Sequence, residues 1–245
     1  MQIYNYPKQN NISFEALQYK HLNNLSIPDG FKVRLLRDGN NKDCFVKSYF
    51  ASNSDISVSL NDGRLNEYGH CLFDKRKENY FYLSSINNFS EGMKGVGSAL
   101  HLTQIISMLE NNIQETKLYS LGRAINFHAK FGYKSDIKSV SEIDTFLMEE
   151  IAMKHYNDEI FSPVISKLQK WHAHSLAPRE KRIVEGNEII DEFIITINDN
   201  KLKYDDDYNI VSSIKMSLKR EDVINNKEYY NSLFNKYGID YQISD

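Results

Sequence analysis

Across one glycine-rich segment, Gly92-Met93-Lys94-Gly95-Val96-Gly97-Ser98, the hydrophobic period of this chain changes, and that change decides which fold classes are open to it. Upstream, apolar residues alternate or run in short β-branched and aromatic stretches; downstream, Ala99, Leu102, Ile106 and Leu109 recur at helical spacing. A strand that enters a glycine turn and opens a helix leaves the first-turn N–H groups without intrahelical acceptors. It also sets the positive end of the helix dipole beside them, which suits an anion. Glycine at 95 and 97 lets the backbone approach a pyrophosphate, Lys94 adds charge, and Ser98 adds a hydroxyl donor. Lys94, Gly95, Val96, Gly97 and Ser98 are therefore candidate phosphate-binding residues. A short glycine pattern of this kind also occurs as a plain strand-to-helix corner.

The elements before the turn read as antiparallel strands. Phe31-Lys32-Val33-Arg34-Leu35-Leu36 and Cys44-Phe45-Val46-Lys47-Ser48-Tyr49-Phe50 flank the turn composition Asp38-Gly39-Asn40-Asn41, as a hairpin does. A second pair runs through 67–73 and 80–86, joined by the charged segment 74–79. Ahead of these, Phe14, Leu17, Leu22 and Leu25 predict one or two short helices, ended by Pro28-Asp29-Gly30. After the helix that follows the turn, 116–121 reads as a strand and 123–131 as a short helix closed by Gly132. Residues 145–153 suit one more strand, although their composition also permits a helix. The remainder predicts a helix at 160–174, a strand pair at 188–197 and 208–216 joined by a polar loop, and a last amphipathic helix at 223–237.

Composition narrows the function. The chain is 41% hydrophobic and 26% charged, an ordinary globular balance. No apolar run approaches the roughly 18 residues that a membrane span needs, and no basic-then-apolar leader opens the sequence. The expectation is a soluble, cytoplasmic protein without a membrane span; the alternative is a secreted bacterial effector that uses no Sec signal. The net charge of -3 is spread without a basic block, which argues against nucleic acid. The two cysteines, Cys44 and Cys71, have neither metal-ligand nor disulfide-scaffold spacing and read as buried thiols. His172-Ala173-His174 lacks a third ligand at recognised spacing, and Asp205-Asp206-Asp207 lacks the alternation of a calcium loop, so no metal is expected.

A Walker loop requires Gly-Lys-Ser/Thr at its end, and a Rossmann turn belongs to a first parallel βα unit; neither matches. An antiparallel meander feeding a pyrophosphate turn resembles instead the GCN5-related N-acetyltransferase (GNAT) family. That family's signature is Gln or Arg, two residues, Gly, any residue, then Gly or Ala. This chain matches at Gly95 and Gly97 and departs at Gly92, where the basic or amide residue is absent. Arg123-Ala124-Ile125-Asn126-Phe127-His128-Ala129-Lys130-Phe131-Gly132-Tyr133 resembles the family's later helix, at family-like separation.

The resemblance spans about residues 30–150 and implies an α/β (α+β) fold: a mixed, largely antiparallel sheet, splayed at its middle and flanked by helices. It places this domain in 1–155 and leaves 156–245 as a C-terminal α/β extension that selects the acceptor, closes over the cleft or forms a homodimer surface. The implied function is transfer of acetyl from acetyl-CoA to a primary amine, carried by a small molecule or a protein, through direct attack on the thioester. The implied cofactor contacts are the turn residues, the backbone of Ser85 and Ile86 toward pantetheine, and Phe127. His128 stands where relatives carry a tyrosine that protonates the thiolate, and Glu67, with His70 behind it, is the candidate base. Strand alternation puts Glu67 and His70 on opposite faces. Cys71 has no base beside it and is a poor nucleophile. A catalytically silent CoA-binding or protein-interaction module is the alternative.

Overall fold

The computed structural model of the chain describes residues 17–22, 24–50, 55–63, 66–202 and 210–244. Its strands are β1 (Gln18–Leu22), β2 (Leu25–Asp29), β3 (Phe31–Arg37), β4 (Asn40–Phe50), β5 (Asp55–Asn61), β6 (Glu67–Lys75), β7 (Tyr80–Asn88), β8 (Met93–Lys94), β9 (Glu115–Ser120), β10 (Lys134–Ser135) and β11 (Ile214–Lys219). Its α-helices are α1 (Val96–Glu110), α2 (Ile125–Ala129), α3 (Val140–Phe146), α4 (Met153–His155), α5 (Ser162–Ala173), α6 (Arg179–Asp199), α7 (Arg220–Asn225) and α8 (Lys227–Tyr237). A π-helix, Leu147–Ala152, separates α3 from α4. The fold is thus α+β. Nine strands hydrogen-bond in the order β10-β11-β9-β7-β6-β5-β4-β3-β8, and their described registers are antiparallel except the parallel pair β7–β9.

The chain forms two compact units. Unit 1 comprises Met1–Cys71, Ile86–Ser107 and Lys227–Asp245, and unit 2 comprises Leu72–Ser85 and Met108–Asn226. Neither follows a boundary near residue 155. In unit 1, β3 and β4 pair from Phe31↔Val46 to Arg37↔Asn40 around the two-residue loop Asp38-Gly39. Both loop residues have positive φ, 50° and 81°, the backbone a tight hairpin requires. Alternate residues Phe31, Val33 and Leu35 face the core with Cys44 and Val46. Each such burial contributes roughly 1.5–3 kcal/mol. β5 continues the alternation through Ile56, Val58 and Leu60, a period-2 signal that the sequence reading passed over.

Within the stretch predicted as N-terminal helix, the described residues form instead the hairpin β1–β2, in register from Gln18↔Asp29 to Leu22↔Leu25, and residues 1–16 lie outside the described set. Leu25 and Ile27 are buried in alternation, a period of two that four widely spaced apolar residues obscured. Phe14 lies outside the described residues.

In unit 2, β11 pairs antiparallel with β9 on one side and β10 on the other. The predicted helices at 123–131 and 160–174 form as a 3-10 turn leading into α2, and as α5. Residues 145–153 are helical, in α3, the π-helix and α4, not a strand. The strand predicted at 188–197 is the second half of α6. Buried Ile189, Ile190, Phe193, Ile194 and Ile197 recur at helical spacing, so packing overrides the β-branched preference. Its expected partner forms only from Ile214 onward, and residues 203–209 lie outside the described set, as does the run Asp205-Asp206-Asp207.

Candidate cofactor site

From Ile86, near the end of β7, the chain of unit 1 runs on to the glycine turn. Met93 and Lys94 form β8, paired with Arg37 and Leu36 of β3, and Gly95 then turns the chain into α1. Gly95 has a φ of 96°, which L side chains rarely adopt, and Gly92 has a φ of 75°. The Gly95 carbonyl accepts from Ala99 N–H at 2.9 Å, the first bond of the helix. The N–H groups of Val96, Gly97 and Ser98 precede that bond and have no intrahelical acceptor. No acidic residue occupies the first turn of α1, and Lys94 is exposed. The donor set therefore suits an anion.

Two neighbours of the turn have no counterpart in the sequence reading. A Cβ at Gly95 would stand 2.7 Å from Cε1 of Tyr237, the last residue of α8, and 3.4 Å from Cδ2 of Leu35. Glycine is thus needed at 95 for helix packing as well as for backbone angle. At Gly92 the nearest group is Asp38 Oδ1, 3.1 Å from the Cβ position, so a side chain there would meet a carboxylate. Nothing in the sequence pointed to Tyr237, because residues 156–245 lay outside the resemblance.

Glu67 and His70 meet. His70 Nδ1 lies 3.5 Å from Glu67 Oε1, which overturns the expectation of opposite faces. The burial sequence along β6 explains it: Tyr68 and Gly69 are consecutive buried residues, so the alternation slips by one between 67 and 70. Gly69 permits this, since a Cβ there would fall 2.4 Å from Asn87 O and 2.6 Å from Val96 Cγ1. With Nδ1–H directed at Glu67, His70 Nε2 accepts from the Asn87 amide at 3.2 Å, and Phe89 stacks edge-on with a centroid distance of 5.1 Å. Glu67 retains 46% side-chain exposure and keeps acceptor capacity.

Ser85, Phe127 and His128 belong to unit 2 and Ile86 to unit 1. The parallel β7–β9 register runs from Tyr80↔Glu115 to Leu83↔Leu118, yet β9 continues to Ser120. Ser84 and Ser85 lie past its last pair. In α2, Phe127 packs edge-on to His128 and to Phe131, with centroids 5.2 and 5.3 Å apart. His128 is 8% exposed, and burial lowers its pKa from 6.5 to about 4, so its imidazole is neutral at neutral pH. Burial pushes the Cys71 thiol up to about 12 and the Cys44 thiol to about 11, so neither supplies a thiolate nucleophile. His172 lies 3.6 Å from Asp144.

No family model matches the chain, and no curated protein does. Among solved structures, GCN5 of Tetrahymena is similar at 18% identity with a TM-score of 0.33, over 36% of this chain and 56% of that one. Nourseothricin acetyltransferase is similar at 15% identity with a TM-score of 0.31, over 49% of this chain and 85% of that one. The chain thus spans little more than half the length of the former.

Proposed function

We propose that the chain is an acetyl-CoA-dependent N-acetyltransferase acting on a primary amine. The observation that carries this reading is the turn at Gly95, whose positive φ opens a 15-residue helix with its first N–H groups uncommitted and no acid among them. In this reading the N–H groups of Val96, Gly97 and Ser98, the Ser98 hydroxyl and Lys94 hold the diphosphate. The backbone of Ser85 and Ile86 serves the pantetheine amides by strand addition; the end of the β7–β9 register at Leu83 supports this. Acetyl-CoA, when bound, supplies an activated thioester that a neutral amine attacks.

The chain's own task is then proton management and positioning. Glu67 takes the proton of the incoming ammonium, and His70, held by Asn87, orients the carboxylate. Phe127 and His128 are assigned to the thiol end by the resemblance. Because His128 is neutral at neutral pH, its imidazole N–H donates a hydrogen bond to the departing thiolate and the proton that completes the thiol comes from solvent.

Incubation of the protein with acetyl-CoA and a panel of primary amines, read as free thiol released and acetylated amine by mass, tests the activity. The expected result is stoichiometric release with at least one amine. Glu67→Gln is expected to lower kcat by about 10²–10⁴-fold while acetyl-CoA affinity stays the same. Acetyl-CoA binding without acetylation of any amine would overturn the transferase reading.

A further inference from the structure

Unit 2 holds a cavity of about 290 Å³ that the proposed acetyl transfer leaves unused. Its floor is apolar, formed by Ile137, Phe146 and Ile214, each at most 3% exposed. Glu142 of α3 and Lys215 of β11 are the charged residues among those lining it. Their carboxylate and ammonium stand 3.8 Å apart, with 58% and 54% of their side chains exposed, so they are loosely joined and reachable by a solute. Thr145 and Ser213 add hydroxyls, and Tyr119, an exposed residue, also lines it.

One wall is held in place by an uncommon device. Glu150, 3% exposed, projects from the π-helix Leu147–Ala152. Its carboxylate accepts from Val211 N–H at 3.2 Å, Ser212 N–H at 2.8 Å and the Ser212 hydroxyl at 2.6 Å. That fixes the segment bearing Ser212 and Ser213 against the cavity. The same carboxylate also pairs with Lys154, so a buried, charge-compensated carboxylate on a helix type frequent at functional sites holds this short segment and marks a preorganised wall.

We propose that this cavity binds a free α-amino acid with an apolar side chain. The charges choose the class. A ligand bearing one charge would pair with one member of the half-exposed Glu142–Lys215 pair and leave the other to water. A ligand bearing an ammonium beside a carboxylate replaces one loose ion pair with two. The apolar floor takes the side chain, and the volume, at the lower end of the roughly 300–1,000 Å³ of small-molecule sites, excludes a nucleotide or a long peptide. This inference does not rest on the acetyl-transfer reading.

Calorimetric titration of the whole chain with leucine, N-acetylleucine and leucinamide at neutral pH tests it. Leucine is expected to bind saturably. N-acetylleucine lacks the positive charge and leucinamide the negative one, and each is expected to bind about tenfold more weakly or worse. Glu142→Gln and Lys215→Gln alter half-exposed side chains, so the fold, followed by circular dichroism, is expected to persist while leucine affinity falls by a similar factor. Absence of leucine binding, or equal binding by either analogue, would overturn the proposal. Leucine binding undiminished in folded variants would do the same.

Discussion

The imidazole of His128 is 8% exposed, and its pKa falls from 6.5 to about 4 through desolvation. Because the folded value lies below the unfolded one, the unfolded chain binds the proton first as pH falls. The contribution is therefore fully present above about 6.5 and drains away between there and about 4. From about pH 7 to about pH 5 the wild type is expected to lose about 2 kcal/mol from this group alone. Urea unfolding of His128→Gln beside the wild type checks this: the variant's acid slope is expected to be shallower by that amount, and equal slopes would show that burial does not hold the imidazole neutral. The residue types at the candidate site, Glu67, His128, Lys94 and Ser98, were legible in the sequence, but their environments were not. No local pattern announces that Gly69 allows a slip in β6 and thereby brings Glu67 to His70. Nor does one announce that the helix bearing His128 is packed deeply enough to suppress its charge.

Elements with strong local chemistry were readable and those built by packing were not. The loop Asp38-Gly39 specifies its own hairpin through two positive φ angles, and Gly132, with φ of 80°, ends the helical segment that includes α2 as a C-terminal cap. The second half of α6 has the local composition of a strand because Ile and Phe dominate it, and its helical burial pattern becomes plain only once both halves are taken together. The turn at Gly95 lies between these cases: its backbone role was visible, and the cover from α8 was not. α8 is anchored by buried Tyr230 and Phe234, and Asn231 binds both N–H and C=O of Ile243, at 2.8 and 3.2 Å. Gly95→Ala is expected to cost about 1–3 kcal/mol, from φ strain and collision with Tyr237. In a Tyr237→Ala background that cost is expected to shrink by about 1 kcal/mol, since the collision is gone and the strain remains. A denaturant double-mutant cycle reads the coupling, and strict additivity would mean that the ring does not press on the turn.

At the scale of the whole molecule, the two compact units interleave along the sequence, and residues beyond 155 contribute to each. β11 lies between β9 and β10 in unit 2, while α8 belongs to unit 1. A chain ended at 155 therefore loses six residues of paired strand and the buried face of α8. It is expected to show no cooperative thermal transition, whereas a sharp transition would mean that residues 1–155 fold alone. The alternation of strands and the switch to helix made the α+β class legible; the interleaving was not, because no linker composition or change of charge accompanies it. The functional reading depends on the start of α1 receiving a diphosphate. Ser98→Asp isolates that claim. An aspartate in the first turn favours the helix dipole by about 0.3–1 kcal/mol, so the fold is expected to be at least as stable, while its charge opposes an anionic ligand. Acetyl-CoA is expected to raise the thermal midpoint of the wild type with increasing concentration and to leave that of Ser98→Asp nearly unmoved. An unmoved wild type, or an equal shift in the variant, would contradict the account.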